Sequence, residues 1–162
     1  MSILRPGSTR QHEIALAIVR VLTGVIFLAH GAQKLFVFGF DGVSGAFGQM
    51  GVPMAGIVGP LVALLEFFGG IALIAGFLTR PVSLGLALNM VGAIAFVHAK
   101  GGFFLPNGSE FVLILLGAAT ALTIAGAGAF SLDALISRRD QSGNALPTET
   151  TVPAPVTARR AA

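Results

Sequence analysis

Residues 14–38 read IALAIVRVLTGVIFLAHGAQKLFVF, an apolar run broken by one arginine, one histidine and one lysine. A helix rising about 1.5 Å per residue needs roughly 20 apolar residues to cross a hydrocarbon core of about 30 Å, and this run is longer than that. Further along the chain, Met54 to Leu78, Val82 to Val97 with continuation through His98, and Phe111 to Phe130 meet that length or come close to it. Of the 162 residues, 54% are hydrophobic and only 10% charged, and the mean hydropathy is +0.87. That balance lies far from a soluble domain's. The expected fold is all-α: an integral membrane four-helix bundle with antiparallel helices. It divides into a polar leader over 1–13, the transmembrane unit over 14–136, and a Pro- and Thr-rich cytoplasmic tail over 137–162 that reads as disordered.

The net charge of +3 does not point to nucleic acid, because the cations form no basic face or basic helix. They follow membrane topology instead. Arg5 and Arg10 precede the first span, Arg80 lies in the second connection, and Arg138, Arg139, Arg159 and Arg160 follow the fourth span. With alternating helices all of these fall on one side, so the positive-inside bias places both termini in the cytoplasm. The first span is too long, and begins too far into the chain, to be a cleaved signal peptide. The sequence has no cysteine, which excludes a disulfide, a thiolate nucleophile, an iron–sulfur cluster and a CxxC redox pair.

Local signals set the connections. The glycine-rich stretch 39–53 reads as a short helix or turn at the outer interface, its apolar side (Val43, Phe47, Met50) lidding the bundle. Pro53 is expected to open helix two and Pro60 to kink it, while Pro81 opens helix three after a tight turn. Asn107, three residues before Glu110, has the spacing of a cap for helix four.

On a helical wheel, Arg20, Gly24, Phe27, Gly31 and Lys34 occupy one arc, with Thr23 and His30 beside it. An ionised group facing lipid at depth costs at least ~2.5 to 3.5 kcal/mol, so this stripe must face protein or trapped water. In helix two, Gly59, Ala63, Glu66, Gly70 and Phe77 share a face. A carboxylate at mid-span needs a partner or a proton. Rise alone puts Arg20 about one and a half turns from Glu66 on one side and His30 at a comparable offset on the other, and leaves the choice open. Helix three adds Asn89 on a small-residue face with Gly85, Gly92 and Ala93, whereas His98 projects almost opposite Asn89 on an ideal wheel. The pocket candidates are therefore Arg20, His30, Lys34, Glu66, Asn89 and His98, and the packing candidates Gly24, Gly31, Gly70, Gly85 and Gly92. Plainer readings stand beside these: an Arg20–Glu66 pair that only fixes helix neighbours, Lys34 as a snorkelling anchor, and His98 and Lys100 as interfacial residues. The sequence lacks ExxH and HExxH spacings, so no metal site is expected; it also lacks a phosphate loop and a GxSxG elbow.

Four segments, RVLTGVIFLAHGAQKLF (20–36), LLEFFGGIALIAGFLTRP (64–81), FVHAKGGFF (96–104) and FSLDA (130–134), together resemble the DoxX family of small four-helix membrane proteins, from about Val19 to Ala134. Arg20, Gly24, His30, Gly31 and Lys34 match its first motif, Glu66 and Gly70 its second, and His98, Gly102 and Phe103 its third. The resemblance implies a bacterial inner-membrane protein labelled an oxidoreductase. Some relatives are linked to quinone-dependent oxidation of sulfur compounds, and mycobacterial ones to an assembly with superoxide dismutase and a sulfurtransferase. The resulting expectation is a membrane subunit, without its own redox centre, that binds a quinone or similar small redox molecule. His30 and Lys34 would donate to a carbonyl oxygen, and Arg20 and Glu66 would shape the field and exchange a proton. Its partners would be the bilayer, soluble redox enzymes and further copies of itself. Two rival expectations are a non-catalytic scaffold recruiting soluble detoxifying enzymes, and a small-solute or proton pathway through Glu66.

Overall fold

The computed structural model describes residues 8–143. Of the tail expected to be disordered from 137, residues 137–143 are instead helical, and those from 144 onward lie outside the described residues. Helix α1 (Thr9–Ala32) opens with a capping box between Ser8 and Gln11 and runs on into a π-helical turn, Gln33–Phe38. Next come α2 (Gly39–Gln49), α3 (Ala55–Ala75) and α4 (Thr79–Ala93), the last extended by a second π-helical turn, Ile94–His98. Helices α5 (Glu110–Ala125) and α6 (Leu132–Gly143) complete the order. The described residues include no strand.

Three helical stretches, Thr9–Gln49, Ala55–Ala75 and Thr79–His98, are long and apolar enough to cross a membrane. Helix α5 is apolar but has only 16 residues, short of the run expected to Phe130. Gly126, at φ 85°, ends it. Large apolar side chains such as Leu22, Leu61, Phe68, Leu88 and Ile114 stay exposed around the outside, as a lipid-facing surface requires.

The helices form two pairs, α1 with α3 and α4 with α5, and each pair packs more extensively within itself than against the other. Glycines set the first pair. A β-carbon at Gly24 would lie 2.8 Å from the Gly70 carbonyl oxygen, and one at Gly31 would run into the Phe67 backbone. Where lipid is as apolar as leucine, such close backbone approach is what drives association. Gly85 faces the Leu65 side chain, but a β-carbon at Gly92 would meet nothing within 4 Å. Gly92 is thus not the packing residue expected. A core of Phe27, Leu73, Leu86, Met90, Leu115 and Leu122 joins the two pairs.

The caps differ from the sequence reading. Pro53 lies in a turn; α3 begins at Ala55, after Met54 adopts a left-handed conformation whose carbonyl accepts from Ile57 and Val58. Pro60 sits inside α3, which continues unbroken to Ala75. Pro81 is the third residue of α4, in the first turn, where no intrahelical amide bond is forfeited. Leu78, also left-handed, precedes α4. The cap comes from far along the chain: Asp133 accepts from the Leu78 and Thr79 amides at 2.8 and 3.0 Å, while its own amide donates to the Gly76 carbonyl at 2.9 Å. The expected cap of α5 by Asn107 is not made. The loop folds back so that the Ser109 and Glu110 amides donate to the Gly102 and Phe103 carbonyls, and Glu110 accepts from the Leu105 amide at 2.7 Å.

Candidate functional site: a cavity floored by a buried ion pair

Gly31 lets α1 settle against the backbone of Glu66 and Phe67, which brings Lys34, one turn further on, beside the Glu66 carboxylate. Lys34 Nζ donates to Glu66 Oε2, and Asn89 Nδ2 donates to Glu66 Oε1 at 2.9 Å. The partner of Glu66 is therefore Lys34, supported by Asn89, and neither Arg20 nor His30. Glu66 is 4% exposed. In so dry a place a lone carboxylate would be expensive, and the two donors on its two oxygens offset that cost. Lys34 is not a snorkelling anchor: its ammonium points into the protein.

Arg20 is as deeply buried, yet it belongs elsewhere. The glycine contacts set an α1/α3 register that brings Arg20 level with Gly76, where a β-carbon would collide with its guanidinium. That is ten residues, roughly 15 Å of helical rise, from Glu66. Arg20 donates instead to the carbonyls of Leu73 (3.0 Å) and Ile74 (3.3 Å) at the end of α3, and to that of Phe130 (2.6 Å) before α6. A cation suits the negative end of a helix dipole. Nearby at this end, Ser131 caps α6, accepting from the Ala134 amide.

Above the Glu66 cluster the two helix pairs part around a cavity of about 600 Å³, within the range of small-molecule sites. Lys34, Glu66 and Asn89 line its floor, and His30 and His98 its walls; Arg20 does not reach it. The His30 ring stands 6.3 Å from that of Phe111, linking α1 to α5. His98 enters the cavity lining although an ideal wheel turns it away. The π-helical turn Ile94–His98 takes more residues per revolution, so the side chain falls short of the opposite face. His98 Nδ1 is 3.1 Å from the Asn107 carbonyl oxygen, while Lys100 is exposed and does not line the cavity.

Of the remaining wall, sequence reading singled out Phe27, Val43, Phe47 and Met50 but not Phe38, Ala46, Phe96 or Phe111. Phe27, Phe38, Phe96 and Phe111 contribute from the long helices and their wide turns, and Val43, Ala46 and Phe47 from α2 with Met50 just after it. For α2 the signal was present: spaced apolar residues in a glycine-rich stretch read as a lid, and α2 does close over the cavity, docked by Val43 against Gly59. Chemically the cavity offers one coupled acid and ammonium, an amide and two imidazoles within apolar walls. Among the described residues no group of three or more His, Asp or Glu could hold a metal.

A helical membrane protein with an internal, mostly apolar cavity over a buried ion pair is the class these features define. The chain belongs to the DoxX family, whose model matches residues 15–99. It is similar to "Putative oxidoreductase CatD" of Bacillus subtilis (strain 168), 32% identical across 83% of this chain and 96% of the relative. It is also similar to "Inner membrane protein YqjF" of Escherichia coli (strain K12), 34% identical across 78% and 95%, and to "Inner membrane protein YphA" of the same organism, 29% identical across 74% and 89%. Together with the span-length helices, the two inner membrane relatives point to the bacterial inner membrane. No solved structure matches the chain.

Proposed function

We propose that this protein is a membrane subunit of an oxidoreductase system that binds a quinone, or a similar carbonyl-bearing redox molecule, in the cavity above Glu66. The observation that carries this reading is the cavity itself: aromatic and aliphatic walls ending at Lys34, Glu66 and Asn89. An ammonium has three N–H donors, and Glu66 takes one, leaving Lys34 with others for a ligand carbonyl. Glu66 holds the ammonium in place and stands ready to take up or release a proton where that carbonyl oxygen would sit. His30 and His98 supply further donors or acceptors along the wall. The bound molecule, when present, supplies the electron chemistry, which no side chain of this cysteine-free chain provides. The family relative named an oxidoreductase agrees with this assignment.

In the same proposal the chain crosses the membrane four times, with α5 as the short fourth span and both termini in the cytoplasm. Arg80 at the start of α4 lies beside Gly126, and Arg10 and Arg139 sit on α1 and α6, the helices that Arg20 and its Phe130 contact join, which supports that orientation. The test is purification from membranes in mild detergent, followed by mass spectrometry of co-purifying lipophilic molecules and titration with a short-chain benzoquinone. A quinone should co-purify with the wild type. Lys34→Met should weaken benzoquinone binding about tenfold or more, the loss of one charge-assisted hydrogen bond. Binding unchanged in Lys34→Met and in Glu66→Gln would overturn the reading.

A further inference from the structure

We infer that the ligand of this cavity is a tailed, membrane-dissolved molecule that enters sideways from the bilayer, through a slot between α3 and α4 above the Glu66–Asn89 hydrogen bond. The inference rests on the quinone-pocket reading above and specifies the ligand's shape and route.

The geometry is that of a V. Below Glu66 the facing stripes of α3 and α4 touch: Leu65 lies against Gly85, and a β-carbon at Gly69 would be 3.3 Å from Val82 and 3.4 Å from Leu86. Asn89 then joins Glu66 at 2.9 Å. One turn further, the same stripes continue as Val62 and Val58 on α3 and as Gly92 and Phe96 on α4, and all four line the cavity; a β-carbon at Gly92 would meet nothing within 4 Å. Gly92 leaves its side of the slot bare. The rim is apolar and open, with Leu88 64% and Phe96 44% exposed. On the opposite side of the cavity, between α1 and α5, the His30 ring stands 6.3 Å from that of Phe111 beside the buried Phe27, and His30 is exposed, so that side is bordered by an imidazole and not by apolar side chains alone. Helix α2 packs chiefly on α3 and on the wide turn after α1, which roofs the cavity without crossing the slot. A polar floor joined by apolar walls to a lipid-facing gap fits a carbonyl-bearing head on an apolar chain, the head at Lys34 and the chain leaving between the helices. A water-soluble ligand would need no such lipid-facing exit.

The test uses the wild-type protein in vesicles with a photoprobe, a benzoquinone bearing a decyl chain with a diazirine at its far end. Saturable labelling, competed by the tail-less benzoquinone, should place adducts on α3 at 55–65 or on α4 and its wide turn at 88–98. Competed labelling confined to α2 or to the 99–109 loop would mean that the chain leaves through the roof, and would overturn the slot while sparing the pocket. Labelling that the tail-less quinone does not compete would reject the pocket reading itself, and the slot with it.

Discussion

Arg20 and Lys34 are two cations on one face of one helix, both turned away from lipid, yet the protein uses them differently. Arg20 is closed off: three backbone carbonyls accept from its two terminal nitrogens, its Nε is buried with no hydrogen-bond partner among the described residues, and Gly76 leaves no room beside it. Lys34 meets a side-chain acid and borders open volume. Backbone carbonyls do not titrate and do not leave, so a cation held by them ties α1, α3 and the entry to α6 together. A cation held by a carboxylate beside a cavity can trade partners and exchange protons. The difference shows that burial of a charge in a membrane span does not by itself mark chemistry; what the charge is paired with, and whether space adjoins it, decides.

If that division is right, Arg20→Met should be the most damaging substitution in the chain. It removes three charge-assisted hydrogen bonds and leaves carbonyls without that partner, a loss on the order of 4 kcal/mol. Thermal unfolding in detergent should show a large drop or no recoverable folded protein. A stable Arg20→Met variant with impaired ligand binding would reverse the roles assigned to the two cations. Next comes Gly31→Leu, which would push α1 off the Glu66 and Phe67 backbone. Overpacking of this kind costs about 3 kcal/mol. Unlike Arg20→Met, it should also disturb the Lys34–Glu66 contact and so weaken ligand binding in whatever protein remains folded.

Smaller again is Asp133→Ala. Asp133 caps α4 through the Leu78 and Thr79 amides in the Arg20 region and does not line the cavity. Loss of a helix cap costs about 1 kcal/mol. The melting temperature should fall modestly with benzoquinone affinity unchanged. An affinity loss would mean that the two regions are coupled, and that the structural end of the molecule also sets the geometry of the pocket.

Much of this division could be read from the chain, and what could not follows from distance and register. Run lengths located the helices, since a hydrocarbon core imposes a length. The glycine stripes Gly24, Gly31 and Gly70 marked the α1/α3 seam, since only glycine allows that approach. Placing Glu66 beside Lys34 needed the offset between α1 and α3, and a wheel carries no offset; rise counted from assumed helix ends put Arg20 and His30 at comparable distances from Glu66 and could not choose, and the partner is neither. His98 was read as turned away because a wheel assumes a constant 3.6 residues per turn, and no local pattern announces a π-helical turn. The Asp133 cap joins residues more than fifty apart in sequence. Asn107 lost its expected role because loop carbonyls had already satisfied the amides it would have capped.

The smallest expected effect separates two glycines that look alike in sequence. Gly31 and Gly92 both lie on the small, polar-bearing faces of their helices, and both read as packing positions. A β-carbon at Gly31 strikes the backbone of α3, whereas one at Gly92 meets nothing within 4 Å. Alanine in a helix interior is more favourable than glycine by roughly 0.5–1 kcal/mol, so Gly92→Ala should leave the melting temperature unchanged or raise it slightly, and Gly31→Ala should lower it. Measured side by side in the same detergent, opposite signs would show that α1 and α3 are fused where α3 and α4 stand apart. A drop for Gly92→Ala as large as that for Gly31→Ala would mean that the slot beside Gly92 is closed in the membrane, and that the cavity reaches solvent or lipid by another route.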